Sequence, residues 1–305
     1  MPERSGGRFR SANVDHSWPA EWWSIAASFR YLPPVAEAGV SDAAELTAVV
    51  TGAACGFGRD IAIAIGAVGA TVYVAGWWAR AWDDSGPPGT VEETAWRVCE
   101  RGGHGLPVTL DHADDGAVMA LFERVRVERG RLDLLVVNAF DGPVPPSRGG
   151  PFWTIPLGQW QDLFGGGVRE QLVVARLAAP LLIARRGLIV LTGYCDPDAE
   201  VIAEHLFFDV AMNATSRLAH DLRPHGVTAL ALAARSTRTD TGTTAHGKHS
   251  DDGEFVGRAV RALLEDSWVA DYAGRTVSVA ELAERYGFGA CAERAEAVHE
   301  SPAPG

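Results

Sequence analysis

Several residue types that mark common kinds of site are scarce in this sequence. Positive charge is in deficit: 27 lysines and arginines face 39 acidic residues, which leaves a formal net charge of -12. That balance excludes a general nucleic-acid binder, which needs a basic face. The cysteines show no CxxC spacing, so we expect no metal site, and we expect the cysteines to be reduced thiols. They are Cys55, Cys99, Cys195 and Cys291.

Long apolar runs and lysine are also missing. No apolar run reaches the ~20 residues that a membrane span needs, and the N-terminus lacks the apolar core of a secretory signal. We therefore expect a cytoplasmic protein that acts on a small-molecule substrate and binds neither nucleic acid nor membrane. The chain has one lysine, Lys248, and few tyrosines. The tyrosines are Tyr31, Tyr73, Tyr194, Tyr272 and Tyr286.

The clearest pattern lies between residues 46 and 76 and predicts a strand, a turn, a helix and a second strand. Glycines let a backbone approach a pyrophosphate, and a helix N-terminus offers free N–H groups and the positive end of its dipole. A dinucleotide site is the expected result. The four parts are the apolar run Leu46 to Val50, the glycine-rich Thr51 to Gly58, the helically spaced Arg59 to Val68, and the apolar Ala70 to Ala75.

Strands and helices alternate over the rest of the chain, and several strands are almost wholly apolar, as in a buried parallel sheet. We predict an α/β fold: a Rossmann-like doubly wound parallel sheet in a single domain, with ligands at the carboxyl ends of its strands. The domain is expected over 45–290, with an N-terminal extension at 1–44 and a tail at 291–305. For the tryptophan-rich extension, a disordered tail, a short packed helix and a misassigned start codon stay open.

Two segment predictions bear on the site. One long helix is expected over 158–184, across the glycines at 165–167, and a second over 200–222. Between them, a buried strand is expected to end at Leu191 and to be followed by a polar turn over 192–199.

Three motifs at consistent spacing resemble the short-chain dehydrogenase/reductase family. They are Thr51-Gly52-x3-Gly56-Phe57-Gly58, the acid Asp111 at the end of the third strand, and Val137-Asn138-Ala139-Phe140. The resemblance covers residues 46–290 and implies bound NAD or NADP, although such glycines also serve strand–helix packing and persist without a cofactor. The residues implied in cofactor binding are Thr51, Gly52, Gly56, Phe57, Gly58, Trp77, Asp111, Asn138, Ala139 and Thr239.

Five further segments of the sequence resemble one branch of that family, typified by dehydrogenase/reductase member one and its bacterial relatives. They are Phe152-Trp153-x2-Pro156-x3-Trp160, Gly167-Val168-Arg169, Gly187-Leu188-Ile189-Val190, the run from Ala219 to Val227, and Leu282-Ala283-x-Arg285-Tyr286-Gly287-Phe288.

The family's catalytic residues are absent from the positions that the resemblance assigns to them. Members use a tyrosine as acid–base, and a lysine four residues later lowers the pKa of a phenol that is ordinarily near ~10. Here those two positions hold Glu204 and Phe208, and no Tyr-x3-Lys occurs anywhere in the chain. The serine position holds Tyr194, and the asparagine position holds Gly167.

The residues that select the cofactor are changed too. Relatives that choose NADP carry an arginine in the glycine turn and another after the second strand, and those positions hold Cys55 and Trp77. No acid replaces them to favour NAD. Trp77 either stacks on the adenine or fills its pocket, while Thr239 keeps a hydroxyl that often touches the cofactor.

Three residues are candidates for acid–base work. Glu204 and His205 lie near the start of the helix that carries the catalytic pair in the family, and Tyr194 lies at a strand end that faces the expected cleft. Each also has a structural interpretation. Exposed Glu and His are common at a helix start, where the dipole favours Glu, and a tyrosine in a turn often packs.

Three functions stay open. The first is a redox-neutral enzyme on this scaffold that isomerises, dehydrates or cyclises a small, largely apolar metabolite through Glu204, His205 or Tyr194. The second is an NAD(P)-dependent oxidoreductase with a relocated proton donor, and the third is a non-catalytic partner subunit. The resemblance also implies a homodimer or homotetramer through the two long helices, 158–184 and 200–222.

Overall fold

Seven parallel strands form one sheet in the computed structural model, which describes residues 46–76, 89–138, 152–154, 156–194, 202–234 and 253–288. In chain order they are β1 (Thr47–Val50), β2 (Thr71–Gly76), β3 (His104–Thr109), β4 (Leu134–Val137), β5 (Leu188–Tyr194), β6 (Thr228–Ala234) and β7 (Thr276–Ser278). Across the sheet the order is β3-β2-β1-β4-β5-β6-β7. Successive strands are therefore added on one side of β1 up to β3 and on its other side from β4 onward. This confirms the predicted Rossmann-like doubly wound fold.

Helices connect the strands in two layers. They are α1 (Gly56–Gly66), α2 (Val91–Glu100), α3 (Asp115–Arg129), α4 (Leu157–Leu163), α5 (Glu170–Ile183), α6 (Ile202–Leu222), α7 (Gly253–Glu265) and α8 (Val279–Tyr286). Helix α1 packs against α2 and α7, and α3 packs against α5. Within the described residues, no helix is both long and apolar enough to cross a bilayer.

The core follows from the composition of the central strands. Every residue of β1, β2, β4 and β6 is buried, whereas the edge strand β3 is exposed or half-buried along its length. Central strands of a parallel sheet are covered by helices on both faces, so they have no polar side to present. This is why the apolar runs of the sequence located them well.

The predicted helix over 158–184 is not one continuous α-helix. Helix α4 ends at Leu163, the segment Phe164–Arg169 winds in the wider π-helical geometry, and α5 then resumes. Glycine brings no side chain to hold the α-helical spacing, and π turns occur as interruptions inside longer helices. The interruption includes Gly167, where the resemblance implies an asparagine.

Strand β5 is longer than predicted. Thr192 pairs in register with Leu232, and Tyr194 pairs with Ala234. The prediction of a turn from residue 192 is therefore wrong for its first three residues, 192–194, because the ladder to β6 continues through this polar stretch. In the same way β3 ends at Thr109, so Asp111 lies just beyond the strand rather than at its end.

Several predictions fall outside the described residues. They include the extension at 1–44, the tail at 291–305, and three residues implied in cofactor binding, Trp77, Ala139 and Thr239. The domain limits and the roles of those residues stay predictions.

Candidate functional site

The glycine turn lies at the carboxyl edge of the central strands. Gly52 and Gly56 adopt φ angles of 61° and 55°, which side chains disfavour. The turn is attached to both neighbours of β1, since the N–H of Thr51 donates to the carbonyl of Val136 at 3.0 Å and the N–H of Ala53 donates to that of Ala75 at 3.0 Å. The backbone is thus held in the form that leaves room for a phosphate group.

Gly58 has no space for a side chain. A Cβ there would lie 2.7 Å from Nδ2 of Asn138 and closer still to the carbonyl oxygen of Gly52. The first turn of α1 therefore touches the backbone of the glycine turn directly. The glycine is required for packing in this fold, whatever it does for a ligand.

Helix α1, like α4 and α5, begins without the side-chain cap that starts α2, α3 and α8. Cys55 occupies its N-cap with no side-chain hydrogen bond to the helix, and its first turn contains no acid. By contrast, Thr90, Asp114 and Ser278 cap α2, α3 and α8, and each of those helices has an acid in its first turn. No acid in the first turn therefore offsets the positive end of the α1 dipole, the end at which anions are stabilised.

Asn138 ties together three parts of the site. Its Nδ2 donates to the carbonyl of Gly52 at 3.3 Å, and its Oδ1 accepts from the Thr192 hydroxyl at 2.9 Å. Its backbone N–H donates to Oγ1 of Thr51 at 3.0 Å, and that hydroxyl lies 3.3 Å from the carbonyl of Val136, to which it donates. These bonds fix the glycine turn and the ends of β4 and β5 relative to one another. Asn138 and Thr51 are thus structural members of the site.

Asp111 lies in a tight turn after β3. Its Oδ1 accepts a hydrogen bond of 2.9 Å from the N–H of Ala113, and its backbone carbonyl accepts from the N–H of Asp114. The carboxylate is half-buried and lies just before α3. Its contact with adenine stays a prediction.

The three acid–base candidates lie on two neighbouring elements. Tyr194 is the last residue of β5, and Glu204 and His205 lie in the first turn of α6. The structure describes their backbone, which places all three near the carboxyl edge of the sheet. Helix α6 also packs against the π-helical segment. Their catalytic roles stay predictions.

One ion pair at this edge was not predicted from the sequence. Both oxygens of Asp115 accept from the guanidinium of Arg169, at 3.0 and 2.6 Å, and join the start of α3 to the end of the π-helical segment. The hydrogen bonds from Arg169 lower the pKa of Asp115. Since the two residues are far apart in the chain, no local pattern reveals the pair.

Glu170 was missed as well. It is 5% exposed, beside Gln171 at 5%. The other buried residues of α5 are all apolar, from Val174 to Leu182. A charged residue on an otherwise apolar helical stripe could have indicated this buried glutamate from the sequence. The glycines at 165–167 interrupt the helical periodicity just before it, so the stripe was not recognised. Within the described part of the chain, no group of metal-ligating side chains forms.

Comparison with known proteins gives consistent results. A family model of short chain dehydrogenases matches residues 46–195. Dehydrogenase/reductase SDR family member 1 of Mus musculus is 32% identical over 268 residues, which covers 79% of this chain and 81% of that protein.

Two solved structures share the fold. A metagenomic short-chain oxidoreductase in complex with NADP has a TM-score of 0.60 at 24% identity and covers 77% of this chain and 97% of that one. A short chain dehydrogenase from Mycobacterium paratuberculosis bound to NAD has a TM-score of 0.66 at 17% identity and covers 79% and 98%.

Proposed function

The chain belongs to the short-chain dehydrogenase/reductase family, and we propose that it is an oxidoreductase that uses NAD or NADP on a small, largely apolar carbonyl or alcohol. The observation that carries this proposal is the uncapped start of α1, where Cys55 makes no cap bond and no acid follows in the first turn. An anion-binding helix end beside an intact glycine turn favours a retained dinucleotide.

The residues present fit a dinucleotide. Gly52, Gly56 and Gly58 bring bare backbone to the place where a pyrophosphate would bind, and the N–H groups of α1 would hold it. Asn138 keeps this turn in place, and Asp111, just beyond β3, would contact the adenine. When bound, the nicotinamide supplies or accepts the hydride. Neither Cys55 nor Trp77 provides the arginine that selects NADP in relatives, so NAD and NADP are both proposed as cofactors.

The proton must come from a residue other than the family's tyrosine. Glu204 and His205 in the first turn of α6, and Tyr194 at the end of β5, supply titratable groups near the carboxyl edge of the sheet. A carboxylate or an imidazole can exchange a proton near neutral pH without a neighbouring lysine, which a phenol cannot do efficiently. The reaction therefore keeps the family's cofactor and replaces its acid–base group.

A redox-neutral reaction is the second candidate, and one observation favours it: no Tyr-x3-Lys exists in the 305 residues. Isomerisation, dehydration or cyclisation needs acid–base groups but no hydride. It would use Glu204, His205 or Tyr194 in the same cleft. Conversion of a substrate without oxidation of NAD(P)H distinguishes this candidate from the oxidoreductase.

The region of α4, α5 and α6 also fits self-association into a homodimer or homotetramer. Trp153 is 74% exposed in the 3₁₀ turn Phe152–Thr154, Leu157 is 84% exposed at the start of α4, and Leu172 on α5 is 37% exposed. Apolar side chains at such exposure are covered when two copies pack through these helices. Light scattering on the protein and on Leu157→Glu tests this, because a monomeric wild-type protein contradicts it.

Calorimetry with NADH and NADPH tests the proposal, followed by absorbance measurements with a panel of aldehydes, ketones and alcohols. We expect micromolar binding of at least one nucleotide and substrate-dependent change in its absorbance. No binding of either nucleotide at millimolar concentration overturns the oxidoreductase. Loss of a substrate without that absorbance change supports the redox-neutral candidate. Absence of both activities, with binding to another family member, supports the non-catalytic partner.

A further inference from the structure

The chain that leads into α2 lies directly against the glycine turn. A Cβ on Gly89, two residues before α2 begins, would overlap the carbonyl oxygen of Ala54 and would lie 3.6 Å from the Cβ of Cys55. Only a glycine lets one backbone approach another so closely. The entry to α2 therefore borders the turn that is proposed to hold the pyrophosphate.

The end of β2 borders α2 as well. Strand β2 ends at Gly76, and a Cβ there would lie 3.5 Å from the backbone nitrogen of Ala53 and 3.5 Å from Cγ1 of Val91, the first residue of α2. In dinucleotide-binding folds the adenosine ribose lies near the end of this strand, where an acid binds its 2′-hydroxyl or an arginine binds a 2′-phosphate. Helix α2 thus begins beside the place that distinguishes NAD from NADP.

The first turn of α2 is acidic and capped. It contains Glu92, which is exposed, and Glu93, whose N–H donates to the hydroxyl of Thr90 at 3.1 Å. The cap satisfies an N–H group that a phosphate could otherwise bind, and the two acids offset the positive end of the helix dipole. In contrast to the start of α1, this helix end therefore disfavours an added anion.

The arginines of α1 and α2 do not balance these acids. Each helix contains one arginine: Arg97 pairs with Glu93 at 2.7 Å, and Arg59 pairs with the aspartate that follows it at 3.3 Å. Cys55 replaces the arginine that NADP-selecting relatives carry in the glycine turn. The charged residues of segment 77–88, which lies outside the described residues, are one arginine and two aspartates. The sequence between β2 and the first turn of α2 is thus acidic in balance.

We propose that this site selects NAD over NADP, and that Cys55 and the acidic first turn of α2 determine the choice; the inference rests on the proposed oxidoreductase function and narrows its cofactor. NADP differs from NAD by a 2′-phosphate, a monoester with a charge of about −1.5 to −2 at neutral pH. That charge would face Glu92 and Glu93, whereas the 2′-hydroxyl of NAD is neutral. At 0.1 M salt such repulsion acts over ~10 Å.

This selector differs from an acid at the end of β2. There, a carboxylate accepts a hydrogen bond from the ribose of NAD, but the residue that follows β2 here is Trp77. The acids of α2 instead act by repelling the phosphate of NADP. Discrimination by an unfavourable charge contact with the wrong ligand is a general route to specificity.

Calorimetry with NADH and NADPH tests the choice. We expect the wild type to bind NADH at least ~10-fold more tightly than NADPH. The double variant Glu92→Gln/Glu93→Gln removes both charges and releases Arg97, so this ratio should fall at least ~3-fold through tighter NADPH binding. Cys55→Arg should lower the ratio in the same way. Glu100→Gln removes an exposed acid from the last turn of α2 and is the matched control, with an unchanged ratio.

Salt provides a second measurement. Repulsion between charges is screened, so raising NaCl from about 0.05 to 0.5 M should narrow the difference between NADH and NADPH in the wild type. The double variant lacks the two charges, so its ratio should change less. A wild-type ratio that does not depend on salt overturns the proposed repulsion.

The outcomes separate the two proposals. NADPH binding as tight as NADH binding, or tighter, overturns this inference and leaves the oxidoreductase intact. A preference for NADH that persists unchanged in both the double variant and Cys55→Arg also overturns it. A wild-type protein that binds neither nucleotide overturns the proposed function and this inference with it. Should Cys55→Arg fail to fold, the double variant and the salt series decide, because neither of its two acids is buried.

Discussion

The hydroxyl of Thr192 donates a 2.9 Å hydrogen bond to Oδ1 of Asn138 and so joins the ends of β5 and β4. The opposite end of the same amide donates to the carbonyl of Gly52 in the glycine turn at 3.3 Å. One side chain thus holds the turn and both strand ends in place. The position of the glycine turn depends on β5, although the two are far apart in the chain.

Replacing Thr192 tests this connection. Thr192→Val keeps the shape of the side chain and removes the hydroxyl, so Oδ1 of Asn138 loses its partner. We expect a decrease of about 0.5–1.5 kcal/mol in the free energy of unfolding, measured by urea denaturation, and weaker nucleotide binding. Thr192→Ser keeps the hydroxyl and should behave as the wild type. Equal stability of the valine and serine variants contradicts the role of this bond.

Gly58→Ala should disturb the turn directly. Its Cβ would lie 2.7 Å from Nδ2 of Asn138, with the backbone of Gly52 nearer still. Overpacking of this kind costs about 1–3 kcal/mol and should move the turn away from the nucleotide. Gly165→Ala is the matched control, because a Cβ there meets no atom of the described structure within 4 Å. Comparable melting temperatures and NAD(P)H affinities for the two variants would show that the close approach is unimportant.

The Asp115–Arg169 pair should make stability depend on acidity. Hydrogen bonds from Arg169, aided by its charge, hold the pKa of Asp115 below its ordinary value. A lowered folded-state pKa means that the contribution is present above the unfolded pKa of ~4 and is lost as pH falls through the folded pKa. Both side chains are about half exposed, so the effect should stay under ~1 kcal/mol and shrink in salt.

Urea denaturation between neutral pH and about pH 3 checks the prediction for this pair. Asp115→Asn should lose stability at neutral pH and show a shallower acid dependence than the wild type. Glu123→Gln, which removes an exposed pair within one helix, serves as the control for general charge effects. An acid dependence unaltered by Asp115→Asn would contradict the assignment.

Tyr73 should make the stability of the fold depend on pH in the alkaline range. Its side chain is fully buried, and its hydroxyl donates to Oε2 of Glu128 at 2.7 Å. Burial, reinforced by that carboxylate, raises the pKa of Tyr73 to about 12. Because the folded pKa is raised, the neutral phenol stabilises the fold fully below the unfolded pKa of ~10, and this stability is lost as pH rises toward 12.

Tyrosinate absorbance and urea denaturation between about pH 9 and 12 measure this loss. Tyr73→Phe removes one late-titrating tyrosine from the absorbance curve and flattens the alkaline decline in stability. Glu128→Gln should shift the remaining Tyr73 titration to lower pH, since it removes the negative charge near the phenol. A Tyr73→Phe curve that superimposes on the wild type refutes the assignment.

Local chemistry made much of the fold predictable. A threonine just before two glutamates is a local signal for a helix N-cap, and the Thr90 hydroxyl does accept from the N–H of Glu93 at 3.1 Å. The β-branched residues Thr276 and Val277 are a local signal for a strand, and β7 lies at Thr276–Ser278. Both depend on residues next to one another in the chain. The π-helical segment was not foreseen, because glycines at 165–167 fit an α-helix, a loop or a π turn equally well by local rules.

The sequence by itself determined the fold class, the glycine turn and the absence of Tyr-x3-Lys, because apolar periodicity is a local property and folding cannot supply a residue that the chain lacks. Only the tertiary structure decided which side chains meet. The bond from Thr192 to Asn138, the approach of Gly58 to Gly52, and the pair of Asp115 with Arg169 all join residues brought together by strand order and helix packing. Those distances depend on the whole sheet, so no single segment contains them.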